Sequence, residues 1–163
     1  MNLNEILDKV SWGGSGIERE TMEFITKHIP LKSKILELGS GFCSTKVLSM
    51  LYNLHTVEEN INFINQYKEA KYIHAPIHNN WYNRDVLQNE LSKDYVFVFV
   101  DGPAGEQRRL GMLENLDLFS DNASYLVHDT YRKNDKLLAE QLGLKLNKHV
   151  QFFSNKDHFA FIS

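Results

Sequence analysis

Residues 34–45, reading KILELGSGFCST, constrain the fold of this chain more than any other stretch. Ile35-Leu36-Glu37-Leu38 is a short apolar run that passes directly into Gly39-Ser40-Gly41, and a helix-compatible segment follows over 44–51. Strand, tight glycine turn and helix, in that order, gather backbone N–H groups and a helix N-terminus around a nucleotide-like ligand. Gly39 and Gly41 suit the turn because a residue without Cβ takes positive φ and lets other atoms approach the main chain. The third glycine of the dinucleotide fingerprint would fall at Ser44. Its absence favours a nucleoside without a pyrophosphate over NAD.

A second strand-like run, Leu54-His55-Thr56-Val57, ends at Glu58-Glu59-Asn60, and Glu58 lies 58 − 39 = 19 residues beyond Gly39. An acidic residue roughly 20 positions after the glycine turn accepts hydrogen bonds from ribose hydroxyls. Glu59 is one register away and stays open as the alternative. Glu58 is expected in an open cleft, where its removal would weaken ligand binding and leave the ligand-free stability nearly unchanged.

The rest of the chain alternates strand and helix. Helices are predicted over 4–10, 17–28 (capped by Ser15 and ended by Pro30), 60–70, 84–91, 106–119 and 131–142, the last stopped by Gly143. Strands are predicted over 71–77, 95–100 and 124–127, with an antiparallel hairpin in 145–163 that turns at Asn155-Lys156-Asp157. Tyr95-Val96-Phe97-Val98-Phe99-Val100 is apolar without alternation, as a parallel strand covered on both faces should be. The expected fold class is therefore α/β: a doubly wound, mostly parallel seven-stranded sheet with a C-terminal antiparallel hairpin. One domain spans 1–163, with a helical cap and lid over 1–30 and the core over 31–163. Trp12, in the glycine-rich link, is expected to be the apolar contact of that lid.

Composition sets limits on partners. Hydrophobic residues make up 42% of the chain and charged residues 24%, ordinary values for a globular domain. A formal net charge of −3 gives no reason to expect a nucleic acid. No apolar stretch approaches a membrane span, the N-terminus is unlike a signal peptide, and the single Cys43 cannot close an internal disulfide. These features predict a cytoplasmic protein with a small-molecule substrate and no membrane partner; a homodimer is compatible with them.

The ordered set of motifs resembles the class I S-adenosylmethionine-dependent methyltransferases over nearly the whole chain. ILELGSG resembles the first motif of that family, TVEEN the acidic second-strand motif and YIHAPI the third-strand segment. YVFVFVDGP and YLVHDTYR resemble the fourth and fifth strands. The resemblance implies a strand order of 3-2-1-4-5-7-6 and S-adenosylmethionine as cofactor. It implies Glu37, Gly39, Ser40, Gly41 and Asp101 around the methionine part, Glu58 on the ribose, and Pro76 and Ile77 beside the adenine, with 79–82 extending that wall.

Asp101, His128 and Asp129 end adjacent strands and are the candidate catalytic residues, with His128 or Asp129 taking the proton from an acceptor hydroxyl. In the catechol-type branch of the family two such aspartates and an asparagine hold Mg²⁺. Here Thr130 stands where the asparagine would be, so Asp101 and Asp129 are expected to act without a metal and to be its ligands if one binds. His74 and His78 lack a third zinc ligand, and Arg108-Arg109 reads either as an anion site or as solvated charge. The implied activity is O-methylation of a small molecule or sugar. A catalytically silent binding module for the cofactor and an NAD-type oxidoreductase remain the alternatives.

Overall fold

In the computed structural model, which describes residues 3–13, 16–105 and 107–163, the run Phe97-Val98-Phe99-Val100 is completely buried. It forms β6 (Phe97–Val100), paired in parallel with β1 (Lys34–Leu38) on one side and β7 (Ser124–His128) on the other. Outside β1 lie β2 (Asn53–Glu58) and β3 (Lys71–His74), both parallel. Beyond β7 the hairpin of β8 (Val150–Ser154) and β9 (His158–Ile162) closes the sheet antiparallel, giving the order β3-β2-β1-β6-β7-β9-β8. A separate two-stranded pair, β4 (Ile77–His78) and β5 (Trp81–Tyr82), stands apart. Counting only the seven strands of the main sheet, the order is the expected 3-2-1-4-5-7-6.

The period-two alternation of side chains sorts the core into two layers. Leu36, Leu38, Val98, Val100, Tyr125 and Val127 face α5 (Lys133–Leu146), α4 (Arg84–Glu90) and the Trp81-Tyr82 pair. Ile35, Leu54, Phe97, Phe99 and Leu126 face α1 (Leu3–Leu7), α2 (Arg19–His28) and α3 (Ser44–Leu51). No helix among the described residues is long and apolar enough to cross a membrane.

Several expected elements come out differently. The helix predicted over 60–70 is reduced to one 3₁₀ turn, Ile61–Phe63, because Ile61 and Phe63 stay exposed and no surface receives an apolar face; Asn65 then takes φ 61°. The strand predicted over 71–77 stops at His74. Pro76 has no N–H to continue the ladder, and the chain turns through Asn79 and Asn80, both at positive φ, into the β4–β5 pair.

The helix predicted over 106–119 is two 3₁₀ segments, Arg108–Glu114 and Leu116–Leu118. Asn115 breaks it, its Nδ2 donating to the Gly111 carbonyl at 2.8 Å. The expected start at Glu106 and the expected cap at Ser15 lie outside the described residues. Gly143 does not end the last helix. It lies inside α5 because an added Cβ would overlap Cγ2 of Val150, and the left-handed cap is Asn147 at φ 53°.

Candidate functional site

The carboxyl ends of β1, β2, β6 and β7 open into one cleft of about 600 Å³, at the position where parallel sheets of this winding bind ligands. Its back wall is a contact of main chain on main chain. Gly39 has φ +90°, and a Cβ there would stand 2.7 Å from both Cα and N of Gly102. The turn after β1 and the turn after β6 therefore pack without side chains between them. Ser40 reaches sideways: its N–H and hydroxyl donate to Glu58 Oε2 at 3.0 and 2.7 Å, and the Asn60 N–H donates to Glu58 Oε1 at 2.7 Å. Glu58 is buried and lines the cleft while tying two loops together. Glu58 thus stands in the cleft expected of it, but buried and bonded rather than open, so its removal should also cost ligand-free stability.

Glu37 is fully buried and does not line the cleft. Its Oε2 accepts the Thr45 hydroxyl at 2.6 Å, and the Thr45 oxygen accepts the Gly41 N–H at 2.8 Å. Glu37 thus reaches the glycine turn only through Thr45. Burial pushes its carboxyl up to about 7 against the lowering pull of the Ser44, Thr45 and Thr56 hydroxyls. Glu59 lines the cleft beside Glu58. Burial first, and the Glu58 charge second, raise its pKa. Glu59 Oε2 and the Tyr82 hydroxyl are both buried and have no hydrogen-bond partner among the described residues, although both residues line the cleft.

The other end of the cleft is a charge cluster. Arg109, 4% exposed, sends Nη2 to Asp101 Oδ1 and Asp129 Oδ2 at 3.3 Å each and to the Asp101 carbonyl, and Nη1 to the His128 carbonyl at 3.3 Å. Arg132 Nη1 lies 2.8 Å from Asp129 Oδ2, and Asp135 in α5 lies 3.5 Å from Arg109 Nη1. His128 is held at both ring nitrogens, Nδ1 3.0 Å from Asp101 Oδ1 and Nε2 2.8 Å from Asp157 Oδ1. Burial favours the neutral ring, but the hydrogen bonds and charges of Asp101 and Asp157 outweigh it and raise His128 to about 10.

The sequence-predicted residues Gly39, Ser40, Gly41, Glu58, Asp101, His128 and Asp129 all line this one cleft. Pro76 and Ile77 do not: Pro76 is exposed, and Ile77 packs on the core beside β5. Asn60, Phe63 and Tyr82 line the cleft near Glu58, with Phe42 and Phe63 edge to face at 5.9 Å. Trp12 does not line it either; its Nε1 donates to the Leu7 carbonyl at 2.9 Å, while Gly13 and Gly16 form that part of the rim. Asp157 had no signal in the sequence beyond a turn residue, since its partners are remote in the chain. Arg109 was visible as half of a basic pair, and its burial was not.

Asp101, His128 and Asp129 offer ligand atoms within 4.8 Å of one another, as a metal site would. The donor set fits a divalent cation poorly. Arg109 and the imidazole already engage Asp101 Oδ1, and Arg109 and Arg132 engage Asp129 Oδ2, so a cation would have to compete with two guanidinium groups.

No protein-family model and no curated protein matches the sequence. Solved structures do. A candidate caffeoyl-CoA O-methyltransferase from Staphylococcus aureus superposes with a TM-score of 0.63 at 17% identity, covering 90% of this chain and 83% of that one. Precorrin 8w decarboxylase from Methanobacterium thermoautotrophicum gives 0.58 at 12% identity, covering 95% and 96%. The MycE methyltransferase of mycinamycin biosynthesis, solved with Mg and SAH, gives 0.58 at 9% identity, covering 88% of this chain and 48% of that one. The chain therefore has the Rossmann-like fold of class I methyltransferases. At these identities the likeness is one of fold, and activity rests on the cleft.

Proposed function

We propose that the chain is an S-adenosylmethionine-dependent methyltransferase acting on an oxygen of a small molecule or sugar. One observation carries this reading. A single cleft holds the glycine turn on its back wall, Glu58 and Glu59 at one end, and the Asp101–Asp129 cluster at the other. That order matches a nucleoside with a reactive substituent at its far end. Glu59 and Tyr82, whose Oε2 and hydroxyl are buried without a hydrogen-bond partner among the described residues, line the same end of the cleft beside Glu58.

S-adenosylmethionine would supply an activated methyl group on a sulfonium. The protein's part is alignment, because in-line displacement needs positioned reactants more than covalent chemistry. Gly39, Ser40 and Gly41 let the methionine part approach the main chain closely, their N–H groups being bonded already to Val57, Glu58 and Thr45 and not free as donors. Glu58 keeps one unused lone-pair direction, with Glu59 beside it, for the ribose diol. Asn60, Phe63 and Tyr82 take the adenine wall in place of Pro76 and Ile77, since they line the cleft beside Glu58.

At the acceptor end, Asp129 would take the proton from the acceptor hydroxyl, whose oxygen would gain the methyl group as the sulfonium carbon–sulfur bond breaks and the thioether leaves. His128 is unsuited to that task because both its nitrogens already face carboxylates. Asp101 braces the site through His128 and Arg109. No metal is needed, because Arg109 and His128 hold the positive charge that a cation would bring between the two aspartates.

The test is turnover. S-adenosylmethionine carrying a deuterated methyl group is incubated with panels of phenols, sugars and amines, and products are read by mass spectrometry. Label on an oxygen acceptor is the expected result. Label on amines alone would refute the oxygen assignment. Tight S-adenosylhomocysteine binding with no product would leave the silent binding module.

A further inference from the structure

We propose that Asp157, in the turn between β8 and β9, is a positioning residue of the cleft: it locks His128 so that the ring braces Asp101 and cannot compete with Asp129 for the acceptor's proton. The inference rests on the methyl-transfer reading and extends it to a residue outside the cleft lining.

Hairpin turns carry aspartate for local reasons and usually expose it. Here Asn155 and Lys156 are exposed and Asp157 is buried. Its carboxylate is fully engaged. Oδ1 accepts from His128 Nε2 at 2.8 Å and from the His158 N–H at 2.9 Å; Oδ2 accepts from the Glu18 N–H at 3.1 Å and from the Thr21 hydroxyl. The first turn of α2, the end of β7 and the β8–β9 turn are thereby fastened at one side chain. Four donors leave Asp157 no alternative orientation, so it serves as a fixed anchor for the ring.

The consequence lies in proton counting. An imidazole with a carboxylate on each nitrogen needs an N–H at both, which makes it an imidazolium with no lone pair. His128 is in that state: Asp101 from the end of β6 and Asp129 from its own segment face Nδ1, at 3.0 and 3.5 Å, and Asp157 faces Nε2. Arg109, from the 3₁₀ segment, approaches only the His128 carbonyl, and Phe99 supplies an apolar ring on β6. The other half of the pair agrees. Burial alone would raise Asp157, yet the His128 charge and the Thr21 and Glu18 donors bring it down to about 2.

Without the Asp157 charge, Nε2 would lose its anionic partner. Asp101 would still hold Nδ1, but the ring's midpoint would fall from about 10 toward its ordinary range, and Nε2 would become available as a second base beside Asp129. A buried ion pair is weak evidence for stability but can fix geometry, so the proposal is tested on geometry and protonation.

The experiment follows the His128 ring by ¹⁵N NMR across pH in the full chain, as wild type and as Asp157→Asn, with S-adenosylhomocysteine affinity measured on both. In wild type the ring is expected to stay doubly protonated beyond pH 9. In D157N its midpoint should fall by about two pH units or more, and the kcat profile should gain a new limb at that midpoint with ligand affinity kept within about twofold. An unmoved midpoint with normal ligand binding overturns the positioning role alone. Failure of the wild type to bind S-adenosylhomocysteine overturns the functional reading beneath it. Should D157N not fold, Asp157→Ser removes the same charge with a smaller side chain. A fall of the His128 midpoint then supports the proposal, and no change overturns it.

Discussion

Replacing Glu58 with alanine should damage the protein twice, once without ligand and once with it. In the ligand-free structure Glu58 accepts from Ser40 N, Ser40 Oγ and Asn60 N at 2.7–3.0 Å in a buried setting. A net hydrogen bond to a charged group contributes about 1.5–3 kcal/mol. The three share one carboxylate, and the hydroxyl can turn to other acceptors, so the loss should stay near one such increment. In a domain of this size each kcal/mol moves Tm by about 2–4 °C, predicting a fall of roughly 3–12 °C. Loss of the ribose contact should remove a further 1.5–3 kcal/mol from binding, about 10- to 150-fold in Kd. Thermal unfolding by circular dichroism measures the first effect, and titration calorimetry with S-adenosylhomocysteine the second. An unchanged Tm would refute the turn-holding role. Loss of affinity in Glu59→Ala but not in Glu58→Ala would move the ribose to the neighbouring carboxylate.

Other outcomes follow from the same coordinates. Gly143→Ala should lower stability by about 1–3 kcal/mol, read from denaturant unfolding, because the new methyl overlaps Val150. Chelator should leave turnover unchanged while Asp101→Asn lowers it directly; restoration by Mg²⁺ of activity lost to chelator would show that the Arg109 pairing gives way to a metal. The pH dependence of stability has a definite sign. His128 is raised from its ordinary 6.5 to about 10, so its contribution is complete below about 6.5 and is lost as pH rises through 10. Asp157 is depressed from 3.8 to about 2, so its contribution holds above 3.8 and is lost as pH falls through 2. Wild type should therefore lose stability on the alkaline side more steeply than Asp157→Asn, as measured by Tm in buffers from pH 6 to about 10.5.

The sheet and half of the cleft could be read from the chain because their signals are local. The apolar run of β6, the GSG turn and the spacing to Glu58 each depend on residues close in sequence, and β1, β2, β7 and α3 stand where those signals put them. What failed was decided by contacts between distant segments. The helical stripe of 60–70 had nothing to pack on. Gly143 was required by Val150 across a turn and was not a helix stop. Trp12 found the Leu7 carbonyl, away from the cleft. The charge cluster was half legible: Asp101, His128 and Asp129 end adjacent strands, but Arg109 and Asp157 converge on them from two other segments, with Asp135 behind Arg109 from a third. No spacing rule connects those positions.

The central claim is that the cleft between the glycine turn, Glu58 and the Asp101–Asp129 cluster takes a nucleoside bearing a thioether or sulfonium and no pyrophosphate. Titration calorimetry of the wild-type protein with S-adenosylhomocysteine and, separately, with NAD tests it most directly. The account predicts saturable one-to-one binding of S-adenosylhomocysteine, weakened by Glu58→Ala, and no comparable response to NAD. Tight NAD binding with no response to S-adenosylhomocysteine would contradict it.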